Sequence, residues 1–316
     1  MRPSFRGGAV FLCAGLVLSP VANAQPAANG QNILAHVRRT GLLTCAAESR
    51  PGFATMDEQG EVHGLAVDLC RAVAIAVAGP NASVRMTLPE ADNEFAALAH
   101  GATNLAFLSA EAIAEHHLAG ALIPGPVVFI DPIALMAPVS AKAQRPEDLA
   151  GHTICLMIGS PAQRALEATL GTAVPPIARL AFREDVEMLD AYNVGRCDGV
   201  VADATYLAEM RLSPGINHLQ SRILLPPLAL TPFVATTPAG DGAWASRVGW
   251  ILNGLLAETA AAPSLLHAQW RNDVRAALGS YTDMRERNLG AGSPLKLPPW
   301  PNEAWPNGLL VPLAIN

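Results

Sequence analysis

The stretch Ala191-Tyr192-Asn193-Val194-Gly195-Arg196-Cys197-Asp198-Gly199-Val200-Val201-Ala202-Asp203-Ala204-Thr205-Tyr206-Leu207 reads as the end of one helix, a buried strand and the start of another helix. Upstream, Glu184 to Tyr192 holds good helix formers, with Val186, Leu189 and Tyr192 at helical spacing. Gly195 suits the left-handed stop that ends such a helix. Gly199 to Ala202 is short and wholly apolar, the pattern of a strand inside an α/β sheet. Asp203 then falls at the strand's carboxyl end, and in open α/β sheets that end faces the ligand crevice. The alternative for Asp203 is an N-cap of the following helix, a position that Asp favours.

Working back from this stretch, the same punctuation recurs. Pro146 to Gly151 leads to a strand over His152–Ile158, and Gly159-Ser160-Pro161 opens a helix over Ala162–Leu170. That turn sets backbone N–H groups and the Ser160 hydroxyl at a helix N-terminus, which suits an anion, or an ordinary Ser cap with Pro in the first turn. Ala178–Phe182 is a further strand. An earlier block repeats the pattern: a helix over Asn32–Arg38, a strand over Gly41–Ala47, an apolar helix over Val67–Ala78, a strand over Val84–Leu88, a helix over Asn93–His100, a strand over Asn104–Leu108 and a helix over Ser109–Leu118. The loop Glu48 to Phe53 follows the first strand and lines a crevice by the same rule. His116 and His117 are adjacent on a helix and point about 100° apart, so they do not chelate together.

Two apolar segments with internal prolines, Val127–Ala137 and Ile223–Val234, join the blocks as extended crossings. Helices over Trp244–Ala260 and Leu265–Leu278 follow, and the Pro-, Gly- and Trp-rich tail Tyr281–Asn316 is expected as loop. The expected architecture is two α/β lobes joined by two crossing segments, with a cleft between them. The boundaries read as 1–24 signal peptide, 25–135 first lobe, 136–228 second lobe, and 229–316 returning to the first lobe.

With 51% hydrophobic and 15% charged residues, the 316-residue chain has apolar surface for a large core and is not a disordered sequence. Arg2 and Arg6, the apolar run Val10–Leu18, and small residues at Ala22 and Ala24 form a secretion signal cleaved before Gln25. Phe11 and Leu12 before Cys13 exclude a lipid attachment. Cleavage leaves 19 of the 21 basic residues against 27 acidic ones, a net charge of −8. With only Lys142 and Lys296 as lysines there is no basic stripe for nucleic acid or an anionic membrane.

Four cysteines remain: Cys45, Cys70, Cys155 and Cys197. In an exported chain an even count favours disulfides over a metal site, for which C-x-x-C and ligand histidines are missing. Of three pairings, Cys45–Cys70 with Cys155–Cys197 is the local one, each worth about 3–4 kcal/mol by loop entropy.

The residues resemble the type II periplasmic solute-binding proteins of amino-acid ABC importers, family 3, and within it the general L-amino-acid binding group. The resemblance rests on Leu43-Thr44-Cys45 with Pro51-Gly52-Phe53, and on Gly64-Leu65-Ala66-Val67-Asp68-Leu69-Cys70-Arg71-Ala72-Val73-Ala74. It continues through Ala191-Tyr192 with Gly195-Arg196-Cys197-Asp198, Asp203 with Leu207 and Arg211, and Glu286-Arg287-Asn288-Leu289-Gly290 with Ser293-Pro294-Leu295. It implies an exported, periplasmic, monomeric protein without a cofactor. Such a protein closes on an amino acid or related small amine and delivers it to an inner-membrane ABC permease.

It further implies that Asp203 takes the ligand's ammonium group. The family's Gly-Thr-Thr turn reads Gly159-Ser160-Pro161 here, keeping one hydroxyl. The family's carboxylate-clamping arginine falls on His116, and the run before it is Ser109-Ala110-Glu111; an imidazole does not reproduce a bidentate arginine. Arg50 is expected to supply positive charge from the opposite wall, with Phe53 packing on the ligand and His116 and Ser109 beside it. Two alternatives remain: an exported enzyme on the same fold, dehydratase-like, with Glu48, Glu111 and His116 as acid–base candidates, and a degenerate member that binds a protein partner.

Overall fold

The computed structural model describes residues 32–101, 103–215, 220–257 and 269–312. The proposed signal sequence and its cleavage site lie outside them. Among the described residues no helix is long and apolar enough to cross a membrane.

The first half of the chain contributes α1 (Ile33–Thr40), β1 (Leu42–Ala47), the two-residue strands β2 (Thr55–Met56) and β3 (Val62–His63), α2 (Leu65–Ala78), β4 (Ser83–Thr87), α3 (Asp92–Ala99), β5 (Leu105–Ser109) and α4 (Ala110–Glu115). The long strand β6 (Leu122–Pro138) follows. Next come β7 (Thr153–Met157), α5 (Pro161–Leu170), β8 (Ala178–Phe182), α6 (Asp185–Asn193), β9 (Gly199–Asp203) and α7 (Ala204–Met210). The chain returns through β10 (Ser221–Ile223), β11 (Ala229–Pro238), α8 (Gly242–Leu256), α9 (Trp270–Leu278) and α10 (Tyr281–Asn288).

One sheet runs in the order β4-β1-β5-β11-β6-β9-β7-β8, with β10 beside β6. Its outer pairs, β4–β1–β5 and β9–β7–β8, are parallel, and the two crossing strands are antiparallel to their neighbours. Strand β6 passes from one half to the other at Ile133, which pairs with Ala229 of β11 and with Asp203 of β9. The expected single crossing over Ile223–Val234 is instead two strands, β10 and β11, separated by Leu224–Leu228. Pro226 and Pro227 in that gap cannot donate to a ladder.

Each half has its own core. Helix α2 is buried on nearly every side, as its unbroken apolar sequence requires, and carries Cys70 to a disulfide with Cys45 of β1 (Cα–Cα 6.4 Å). In the second half, Val201 packs on one face of the sheet and Val200 on the other, the period-two alternation of a strand covered by helices on both sides. Cys197, two residues before β9, is bonded to Cys155 of β7 (Cα–Cα 5.6 Å).

The tail expected as loop from Tyr281 begins with helix α10. Ser280 and Asp283 form a reciprocal capping box at its start, and Tyr281 and Met284 are buried. Asp68 of α2 receives Arg287 at 2.9 Å and Asn288 at 2.6 Å, fastening α10 to the first half. Gly52, at φ 71°, lies against the same helix end: a Cβ there would stand 2.6 Å from the Asn288 carbonyl oxygen. The site loop after β1 is therefore set by the C-terminal segment.

Candidate functional site

Helix α6 ends at Asn193, Gly195 turns with φ 73°, and β9 runs straight to the site. At its end Asp203 occupies the N-cap position of α7 with extended backbone, yet its carboxylate makes no capping hydrogen bond. The cap comes from another strand. Asp131, fully buried in β6, accepts the Thr205 N–H at 3.2 Å and the Thr205 hydroxyl at 2.5 Å. Asp203 is left half-buried on the wall of a cavity of about 340 Å³, within the range of small-molecule pockets.

The opposite wall is the loop after β1, with Ser49, Arg50, Pro51 and Thr55. The Arg50 guanidinium donates to Glu48 Oε1 at 2.8 Å and to the Ser49 carbonyl at 3.2 Å, and lies 5.7 Å from the Phe233 ring centre. Its Nε is buried without a hydrogen-bond partner. Glu48 is in turn held by the Ser109 N–H, 3.0 Å from Oε2.

Helix α5 brings Ser160 and Pro161 to the cavity, and α6 and α7 bring Asp185, Tyr206 and Glu209. The turn expected to hold an anion uses much of its own polarity. Ser160 Oγ accepts the Gln163 N–H at 3.1 Å, the Gly159 N–H goes to Gln163 Oε1 at 2.8 Å, and Pro161 has none to offer.

The electrostatics are those of carboxylates in short supply of counter-charge. Burial raises the Asp203 carboxyl above its ordinary value of 3.8; Arg50 opposes this, and Glu48 and Glu111 add to it. Asp131 is pushed up to about 7, first by burial and then by the Asp203 charge, against the Thr205 hydroxyl and Arg50. Burial raises the Glu209 carboxyl and, with Asp185 close by, lifts the Tyr206 hydroxyl to about 12, so Tyr206 is a donor. A cation placed beside Asp203 relieves this arrangement.

Three residues expected from the sequence thus meet in one cavity: Asp203, Ser160 and Arg50. Three do not line it. Phe53 is fully buried, stacked 4.8 Å from Phe129 and edge-on to Phe107 at 6.5 Å; the apolar ring has gone beneath the wall into the first-half core. His116 closes α4, stacks 3.8 Å from the Phe95 ring and meets Asp92 at 3.1 Å. Ser109 is spent locally, its hydroxyl accepting the Ala112 N–H at 3.0 Å as the cap of α4. Asp131 and Tyr206 were missed. A lone carboxylate within the apolar run Val127–Ala137 was a legible signal for Asp131, because a buried charge demands partners; nothing local marked Tyr206.

No protein-family model matches the chain. It is 26% identical to YhdW of Escherichia coli strain K12, assigned as an amino-acid ABC transporter-binding protein, over 94% of this chain and 95% of that one. It is 26% identical to the general L-amino acid-binding periplasmic protein AapJ of Rhizobium johnstonii, over 87% of this chain and 90% of that one. Among solved structures, an ABC transporter periplasmic binding protein from Brucella ovis with glutathione bound matches with a TM-score of 0.71 and 25% identity, over 90% of this chain and 99% of that one. An ancestral arginine-binding protein bound to arginine shares the fold, with a TM-score of 0.52 and 19% identity, over 79% of this chain and 99% of that one.

Proposed function

We propose, from the premise that this chain is a type II periplasmic solute-binding protein related to the binding components of amino-acid ABC importers, that it captures an amino acid or related small amine between Arg50 and Asp203. The observation that carries this is the freedom of Asp203: Asp131 caps α7 in its place, leaving a half-buried carboxylate turned to a cavity with a guanidinium on the other wall. Asp203 takes the ligand's ammonium group. Arg50, whose guanidinium stands on the opposite wall, takes the carboxylate from that side.

The cavity's charge balance supports a preference among ligands. Asp203, Asp185 and Glu209 line it, and Arg50 is already paired with Glu48. Ligands with a net positive charge are favoured over acidic amino acids by simple Coulomb attraction. The protein acts without chemistry on its ligand. It is a periplasmic monomer cut before Gln25, it hands its cargo to an inner-membrane permease, and its lobes divide near residues 135 and 228.

A thermal-shift screen of the chain lacking residues 1–24 against amino acids, polyamines and organic acids tests this. A ligand at 100 times its Kd adds about 2.7 kcal/mol of stability. A screen in which no amine or amino acid raises Tm, or in which Asp203→Asn binds as tightly as the parent, overturns the reading.

A further inference from the structure

A second cavity, of about 230 Å³, lies where the crossing strands meet the C-terminal tail. Its walls come from β6 at Phe129–Pro132, from α7 and β10, and from the segment around Lys296–Asn302. The tail is pinned there by Asn302, whose side chain exchanges two 2.7 Å hydrogen bonds with the backbone of Ile130. Three cationic side chains line the space: Arg211, Arg222 and Lys296. In a chain with 21 basic residues against 27 acidic ones, that convergence is unusual.

None of the three makes an ion pair among the described residues. Arg211 donates one Nη to the Leu295 carbonyl at 2.9 Å, and Arg222 one Nη to Gln144 Oε1 at 2.9 Å. Arg211 Nε is buried with no hydrogen-bond partner. The carboxylate on the wall, Asp131, gives both oxygens to Thr205. Donors and positive charge therefore converge on a cavity in which, among the described residues, no carboxylate pairs with them. Beside them, Trp300 and Leu225 line the same space, 38% and 55% exposed, and Pro227 and Leu297 add apolar surface.

We propose that this cavity is a second binding site, for a small organic anion that joins a carboxylate to an apolar body. Arg211, Arg222 and Lys296 hold the carboxylate, and Trp300 and Leu225 cover the hydrocarbon. A planar guanidinium suits a carboxylate, and two or three charge-assisted hydrogen bonds in a partly dry cavity give selectivity for it. The occupant bridges Arg211 and Arg222 of the second half and the tail segment that α10 fastens to the first. It sits against β6 beside Ile133, where the strand crosses between halves.

The test is a titration of the purified chain with benzoate, followed by calorimetry and tryptophan fluorescence, with inorganic phosphate as the second probe. The expected result is saturable one-to-one benzoate binding with a fluorescence change that Trp300→Phe removes. Arg222→Gln and Lys296→Ala, both with side chains reaching solvent, each weaken it about tenfold, the effect of losing one charge-assisted hydrogen bond. Their unchanged far-ultraviolet circular dichroism and Tm separate lost binding from lost folding. Absence of saturable benzoate binding overturns the proposal, as does binding indifferent to both substitutions, or phosphate binding as tightly as benzoate. The cleft ligand takes no part in these measurements, so their outcome does not depend on the amino-acid reading.

Discussion

Asp131 caps the helix that Asp203 heads: from the crossing strand, its oxygens accept the Thr205 N–H at 3.2 Å and the Thr205 hydroxyl at 2.5 Å. An N-cap residue ordinarily serves its own helix. Here the service is transferred across 74 residues of sequence, and the carboxylate at the helix start remains available to the cleft.

Asp131 makes stability depend on pH in a defined direction. Its carboxyl rises from 3.8 unfolded to about 7 folded. A carboxyl raised by folding contributes fully below its unfolded value, and the contribution is lost as pH rises through its folded value. In Asp131→Asn the amide oxygen still accepts the Thr205 N–H, and its N–H group donates to the hydroxyl. The parent chain should therefore lose Tm relative to Asp131→Asn between about pH 4 and pH 7. Parallel Tm profiles across that window would rule the linkage out.

Asp203→Asn should abolish high-affinity capture while leaving the fold intact. Removing one partner of a buried charge pair costs about 3–5 kcal/mol, and the half-buried site puts the loss near the lower end, about a hundredfold or more in Kd. Because the Asp203 carboxyl is raised by burial, affinity for an ammonium ligand should also fall on acidification earlier than an ordinary aspartate would cause. Calorimetry from pH 7.5 down to pH 4.5 reads this directly.

If Arg50 and Asp203 divide the ligand between them, as proposed, their variants should separate its ends. Arg50→Gln is expected to weaken an amino acid by about tenfold or more, the scale of one charged hydrogen bond, and to leave the corresponding decarboxylated amine little changed. Equal losses for both ligands would show that Arg50 acts on the structure of the loop. Glu48→Gln should strengthen carboxylate ligands, since it frees a guanidinium now paired at 2.8 Å.

Arg164 of α5 is ion-paired with Glu111 of α4, joining the two halves across the cleft. Both side chains reach solvent, at 59% and 35% exposure, so the pair is a weak tie of about 0–1 kcal/mol. A double-mutant cycle of Arg164→Ala and Glu111→Ala on ligand affinity should give a coupling within that range, falling as salt is raised. A coupling several times larger, insensitive to salt, would make the pair a principal latch.

Much of the architecture was written locally. The stop at Gly195, the apolar run Gly199–Ala202 and the polar residue after it define a helix, a strand and a strand end without reference to any other part of the chain. The cysteines and the spacing of the blocks brought the two halves and their staples into view; the resemblance pointed to Asp203 and Ser160, the missing family arginine prompted Arg50, and the structure sets all three on one cavity. Errors fell where local pattern and tertiary context diverge. Phe53 was legible as apolar and near the site, but whether an aromatic ring faces a ligand or a core depends on Phe107, Phe129 and Phe233, which arrive from three distant strands. Tyr281 looked like the start of a Pro-rich tail, and becomes helical because Ser280 and Asp283 cap it and α2 buries its face.

What the sequence alone determined is the order of most elements, the two-block layout and the placing of Asp203 at a strand's end. These follow from periodicity and turn chemistry, which act over a few residues. Only the tertiary structure decided that the Asp203 carboxylate is left free of its own helix. Its freedom depends on Asp131 reaching Thr205 from another strand, and a hydrogen-bond acceptor is chosen by proximity in space.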